Sequence, residues 1–227
     1  MKTIKQLAGV GLLSVAMLQS AWAQEPESCK MVRFAEIGWA DIAATTGVAM
    51  TLSEGLGYQT RKIMASVPIA FTGVQKGQID VFLGYWAPSM DAVIEPFTKD
   101  GGVKVLPKAN LEGAKYTLAV PTYAAEAGLK SFADIAKFKD QLGGKIFGIE
   151  PGNDGNLLID GMIKSNQFGL GEFKMVESSE AGMLVQLQRA VKKNEPAVFL
   201  GWAPHPMNTQ FDITYLEGGD DVFGPDF

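Results

Sequence analysis

The chain has 227 residues, with 20 basic against 25 acidic side chains and a formal charge of -5, and this acidic balance excludes nucleic acid as the natural partner. Hydrophobic residues make up 47% of it, enough for a sizeable core, and no polar run is long enough to read as disorder. There is one His, one Cys and no Gly-x-Ser-x-Gly elbow, so neither a nucleophile triad nor a zinc site assembles from the usual residues; no cofactor or metal is expected.

Residues 1–23 read as a cleavable leader. Lys2 and Lys5 make a positive start, residues 7–18 are apolar but too short to span a bilayer, and Ala21-Trp22-Ala23 is a small-x-small cleavage signal. Cleavage removes two Lys and no acid, so the charge of -5 becomes -7 from Gln24 onward. No membrane span follows, which predicts a soluble, exported protein of the periplasm. Cys29 follows Pro26-Glu27-Ser28, which is not a lipidation context. In an oxidising compartment a lone Cys is either a free thiol or one whose partner lies outside this chain.

From Gln24 the pattern alternates: strand over 32–37, helix over 42–56, strand over 58–66, helix over 67–76, strand over 79–83 and helix over 90–97. A strand over 115–121 ends in Pro. A second alternating set follows, with helix over 132–139, strand over 145–149, helix over 156–166, strand over 173–177, helix over 181–192, and strands over 197–200 and 211–216. Such alternation predicts an α/β protein with mostly parallel sheets. The expected division is lobe I over 24–117, lobe II over 118–207, and a return crossing toward lobe I over 208–227. Two lobes joined by hinge strands make a clamshell that closes on a ligand.

One phrase occurs twice: Gly84-Tyr85-Trp86-Ala87-Pro88 and Gly201-Trp202-Ala203-Pro204, with a looser echo in Gly38-Trp39-Ala40-Asp41. Each closes a strand-like run, and Pro cannot continue a ladder, so each indole is held where α/β sheets present ligand loops. Taken singly, each Trp reads equally as a large core residue. Repeated around a void, Trp faces suit a quaternary ammonium, which has no N–H to donate and is held by cation-π attraction.

These residues resemble the choline-binding and glycine-betaine-binding substrate-binding proteins of ABC importers, and the choline-binding branch most of all. The resemblance runs from Cys29 to the end through Gly38-Trp39-Ala40-Asp41-Ile42, Gly84-Tyr85-Trp86-Ala87-Pro88, Lys115-Tyr116-Thr117-Leu118-Ala119-Val120-Pro121, Gly148-Ile149-Glu150-Pro151-Gly152-Asn153-Asp154-Gly155 and Gly201-Trp202-Ala203-Pro204-His205-Pro206-Met207. It implies a two-lobed, type II-like periplasmic-binding-protein clamshell. It also implies an aromatic box from Trp39, Trp86, Tyr116 and Trp202, with Asp41 and Asn153 at the alcohol end of choline. Related chains continue beyond the equivalent of Phe227, so the C-terminal part reads as missing, and a partner for Cys29 is expected in that part. The implied role is a monomer that captures choline and delivers it to an ABC permease, without catalysis.

Several residues keep a second reading. Asp41 either accepts a ligand hydroxyl and adds negative potential or simply caps the helix that follows it, and Asn153 carries the same ambiguity. Facing a zwitterion, Asp41 would repel the ligand carboxylate. His205 orients the Trp202 loop, bonds across the lobe interface, or packs; Tyr85 packs, and Glu36 and Glu150 default to structural pairing. The rival ligand is glycine betaine or another methylated zwitterion such as proline betaine or carnitine. Rivals from other classes are an exported hydrolase of choline esters, for which the sequence offers no nucleophile set, and a sensor module presenting bound ligand to a receptor.

Overall fold

The computed structural model describes residues 26–225, so the leader read over residues 1–23 lies outside the described residues. The chain opens with β1 (Met31–Glu36) and β2 (Gln59–Met64), paired in parallel with Met31 opposite Gln59 and Glu36 opposite Met64. The helix Ala40–Gly55 makes the crossover between them. Gly38, at φ +99°, turns the chain from β1 into that helix, a conformation an L side chain rarely adopts.

A strand was expected over 79–83, but only Val81 bridges to Phe34. Asp80 is the reason. Its Oδ2 accepts the backbone N–H of Arg33 at 2.7 Å while its two oxygens hold the Arg33 guanidinium at 2.8 and 2.7 Å. The backbone N–H groups of Asp80 and Val81 then share the Arg33 carbonyl. A side chain has replaced the ladder acceptor, and regular pairing stops.

The second sheet has five strands in the order β5-β4-β6-β3-β7: β3 (Lys115–Pro121), β4 (Lys145–Phe147), β5 (Lys174–Val176), β6 (Phe199–Ala203) and β7 (Ile213–Tyr215). β4 runs parallel to β5 and β6, whereas β3 is antiparallel to both β6 and β7. The helices Asp154–Lys164 and Glu180–Lys193 carry the parallel crossovers. Each starts on a side-chain cap, Asn153 accepting from Asn156 N–H and Ser179 from Gly182 N–H, which satisfies donors left unpaired at a helix start. Met183, Leu187 and Ala190 bury one stripe of the second helix against the sheet.

The helix expected over 132–139 is broken. Phe132–Ile135 and Lys139–Leu142 are short α segments separated by a 3-10 turn, Ala136–Phe138, with Phe138 outside helical geometry at φ -100°, ψ 12°. β3 continues unbroken through residues 117 and 118 and lies whole in the larger sheet. Past Met207 the short helix Met207–Gln210 leads into β7, which pairs with β3. Among the described residues, no helix is long and apolar enough to cross a membrane.

The topology sets where loops meet. Trp39 follows the C-terminal end of β1, and Ile149 to Asn153 follow that of β4. Because β3 is antiparallel to β6, Tyr116 near its N-terminal end lies opposite Trp202 near the C-terminal end of β6. The strand ends of an open α/β sheet are where ligands bind.

Candidate functional site

Of the six residues expected to bind ligand, five line one cavity, and Asp41 is not among its lining residues. Trp39, Trp86, Tyr116, Asn153 and Trp202 line it together with Met90, Ile149 and Asp154. Tyr116 is the hub of the rings. Its centroid lies 5.7 Å from Trp86 and 6.3 Å from Trp202, the latter at an interplanar angle of 80°. Trp202 is not beyond a strand end but inside β6, as the cross-strand neighbour of Tyr116. The peptide bonds Ala87-Pro88 and Ala203-Pro204 are both cis, a further likeness between the two copies of the phrase.

Tyr116 reaches its place because residue 155 has no side chain: a Cβ on Gly155 would stand 2.0 Å from the phenol oxygen. That hydroxyl donates to Asn153 Oδ1 at 3.1 Å. Burial holds its pKa well above the ordinary tyrosine value, and the carboxylates of Asp154 and Glu150 add to the effect.

Asp41 does not cap the helix that follows Trp39. Trp39 itself is the N-cap, and Asp41 sits in the first turn, where its Oδ1 accepts the indole N–H of Trp202 at 3.2 Å. Its Oδ2 is buried without a partner. Burial raises the Asp41 pKa, and the Trp202 hydrogen bond partly offsets this. Glu150 makes the reciprocal contact. Its Oε1 accepts the indole N–H of Trp39 at 3.0 Å, and burial raises its pKa as well. Each of these two indoles is therefore oriented by a carboxylate that belongs to the other sheet's connections.

Asn153 is a cap and a lining residue at once. Its Oδ1 accepts from Asn156 N–H at 3.2 Å and from Tyr116, while its Nδ2 donates to Asp154 Oδ1 at 3.0 Å. His205 stands outside the cavity lining, its ring edge-on to Trp202 at 4.6 Å. Its Nδ1 accepts from Met207 N–H at 2.9 Å, so the proton sits on Nε2, 3.0 Å from Glu180 Oε1. The other Glu180 oxygen accepts the N–H of Ala40 at 3.0 Å, which satisfies an open donor at the start of helix Ala40–Gly55. Glu36 pairs with Lys62 at 3.7 Å, a structural role. Tyr85 gives its hydroxyl to Asp91 and packs on Phe71.

The electrostatics are one-sided. No Lys or Arg lines the cavity, whereas Asp154 lines it and Asp41 and Glu150 hold its indoles. Most of the donors are also spent. The N–H groups of Trp39 and Trp202 and the hydroxyl of Tyr116 are given to protein acceptors, which leaves the indole N–H of Trp86 and the second amide hydrogen of Asn153. The cavity offers aromatic faces and acceptors to whatever enters it.

A family profile described as OpuAC, the substrate binding domain of an ABC-type glycine betaine transport system, matches residues 30–227. Among solved structures, an ABC-transporter choline binding protein in complex with choline is 56% identical, with a TM-score of 0.86 over 89% of this chain and 70% of that one. The same kind of protein in an unliganded semi-closed conformation is also 56% identical but superposes less well, with a TM-score of 0.80 over 88% of this chain and 69% of that one. Lactococcal OpuAC in its closed-liganded conformation with glycine betaine is 27% identical, with a TM-score of 0.77 over 86% of this chain and 74% of that one. An uncharacterised protein, ORF1, of Chromohalobacter salexigens is 51% identical over 139 residues, 61% of this chain and 87% of that one.

Proposed function

This chain belongs to the family of substrate-binding domains of ABC-type glycine betaine transport systems, and from that premise we propose that it captures choline in the cage of Trp39, Trp86, Tyr116 and Trp202. It would act in the periplasm and deliver the ligand to an inner-membrane permease, as a binding protein and not an enzyme. The observation that carries the choice of ligand is the one-signed charge of the cavity: Asp154 lines it, Asp41 and Glu150 hold its indoles, and no Lys or Arg faces it. The carboxylate of glycine betaine would meet carboxylates there without a counter-charge. The hydroxyl of choline needs an acceptor, and Asp41 Oδ2 is a buried acceptor to which nothing donates. Burying like charges together is costly, which separates the two ligands.

Four aromatic faces at roughly 0.5–2 kcal/mol each give at most about 8 kcal/mol, the net value of a micromolar affinity, before association costs are met. Closure of two lobes and the polar contacts must supply the rest. The lobes are proposed to follow the two sheets, with the working boundary in the segment before Lys115 instead of within β3. The contacts Trp39–Glu150, Trp202–Asp41 and Ala40–Glu180 would then close across the cleft.

The test is isothermal titration of the mature chain from Gln24 with choline and, in parallel, glycine betaine. Choline is expected to bind at micromolar strength or better and betaine at least tenfold more weakly. Preference for betaine would overturn the ligand. A second prediction arises at Tyr116: Gly155→Ala places a methyl against its hydroxyl, and choline affinity is expected to fall about tenfold, the worth of one hydrogen bond to a buried partner. Titration checks this, with circular dichroism confirming that the fold is retained.

A further inference from the structure

Asp154 lines the cage, yet the reading above gives it no task. It opens the helix Asp154–Lys164, is 1% exposed, and shares the cavity wall with Trp86, Met90 and Tyr116. Its two oxygens differ. Oδ1 accepts the Asn153 amide at 3.0 Å, whereas Oδ2 is buried with no hydrogen-bond partner. The hydroxyl of Ser89, which donates to the Trp86 carbonyl at 3.2 Å, and the N–H groups of Asp154 and Gly155 stand close enough to ease the charge on the carboxyl in part.

A buried carboxylate with a bare oxygen is costly unless a charge or a donor meets it. The usual partners are absent from the cavity lining, which holds no Lys or Arg. The titratable groups that face Asp154 make matters worse, since Glu150 carries the same sign and Tyr116 is held protonated. A position in the first helical turn returns only part of the cost.

Resting on the choline reading, we infer that Asp154 is the counter-ion of the ligand's quaternary ammonium, the residue that makes the cage select a permanent cation over a neutral body of the same shape. Because a trimethylammonium group carries no N–H, its attraction to Asp154 is Coulombic and requires no hydrogen-bond geometry at Oδ2. The rings supply shape and a diffuse attraction; Asp154 supplies the opposite charge.

The inference separates itself from a merely structural role through a neutral isostere, 3,3-dimethylbutan-1-ol, in which carbon replaces the choline nitrogen. Asp154→Asn keeps the size of the side chain and an oxygen for Asn153. It is expected to weaken choline by 10- to 100-fold while leaving the isostere within about threefold of its wild-type affinity. Asp154→Glu, which restores the charge at a different reach, is expected to recover part of the loss. The pH profile gives a second readout. Burial pushes the Asp154 carboxyl up to about 6; above that pH the free site carries the charge, and as pH falls through it the charge and the choline affinity are lost together. Wild-type choline affinity is expected to drop between pH 7 and 5, with a shallower drop in Asp154→Asn and none tied to Asp154 for the isostere.

Equal loss of both ligands in Asp154→Asn, or an Asp154→Glu variant no stronger toward choline than Asp154→Asn, would overturn the role. Failure of the wild-type chain to bind choline at any pH would instead remove the ligand reading on which the inference rests.

Discussion

Trp202→Ala is expected to lower choline affinity by at least 100-fold, the largest loss from any single cage residue. Three contacts go together. The aromatic face is worth roughly 0.5–2 kcal/mol to the cation. Its indole N–H is the partner of Asp41 Oδ1, and a buried acceptor left unpaired costs about 1–3 kcal/mol more. Its ring also carries His205 at 4.6 Å, and with it the Glu180 contact to Ala40. At about 1.4 kcal/mol per factor of ten, the first two alone reach 100-fold over much of their range. Trp202→Phe separates them, because it retains a face and loses the N–H. Titration should place it between wild type and Trp202→Ala. If Trp202→Ala binds choline within threefold of wild type, the ring is core packing and the cage reading fails at its centre.

Asp41→Asn is expected to weaken choline about tenfold or more and to strengthen glycine betaine, so that the ratio of the two affinities moves by at least 100-fold. The substitution leaves an oxygen to accept from Trp202 and removes a charge from beside the site. It also adds N–H donors beside the site, which a betaine carboxylate can use. Paired titrations of the variant give the ratio directly. If both affinities stay unchanged, Asp41 only orients Trp202. That outcome would restrict it to a positioning role and return the hydroxyl contact to Asn153.

Much of this site was legible because the chain spells it locally. The repeated Gly-aromatic-Ala-Pro phrase marks Trp86 and Trp202, which both line the cavity, and the strand signal places Trp202 near the end of β6, whereas Trp86 follows a single bridge instead of a strand. Asn153 could be read only as a cap or a ligand contact; in the structure it caps the helix with its oxygen and also lines the cavity. Asp41 was harder. A position two residues after a Trp suits an N-cap, but Trp39 takes that place, and the partner of Asp41 lies 161 residues away.

Contacts of that range are what local pattern cannot supply. Glu150 reads as an ordinary strand-end carboxylate until Trp39, 111 residues distant, is seen to donate to it. Glu180 is hidden in the same way, as a first-turn acid whose usual role is to complement its own helix, while its oxygens face His205 and Ala40. Asp154 carried a weaker signal that was available: it follows a capping residue in a motif already tied to the site. The strand expected over 79–83 shows the opposite failure. Its apolar residues follow the right period, but the Asp80 side chain satisfies the backbone of Arg33 and ends the ladder, a competition that periodicity does not record.

The most direct test of the central claim is a crystal structure of the mature chain grown with choline. The account predicts the ammonium nitrogen within about 6 Å of the ring centroids of Trp39, Trp86, Tyr116 and Trp202, the distance over which cation-π attraction acts, with the hydroxyl directed toward Asp41. Choline bound elsewhere, or in the cage with its hydroxyl turned away from Asp41 toward solvent, would contradict it.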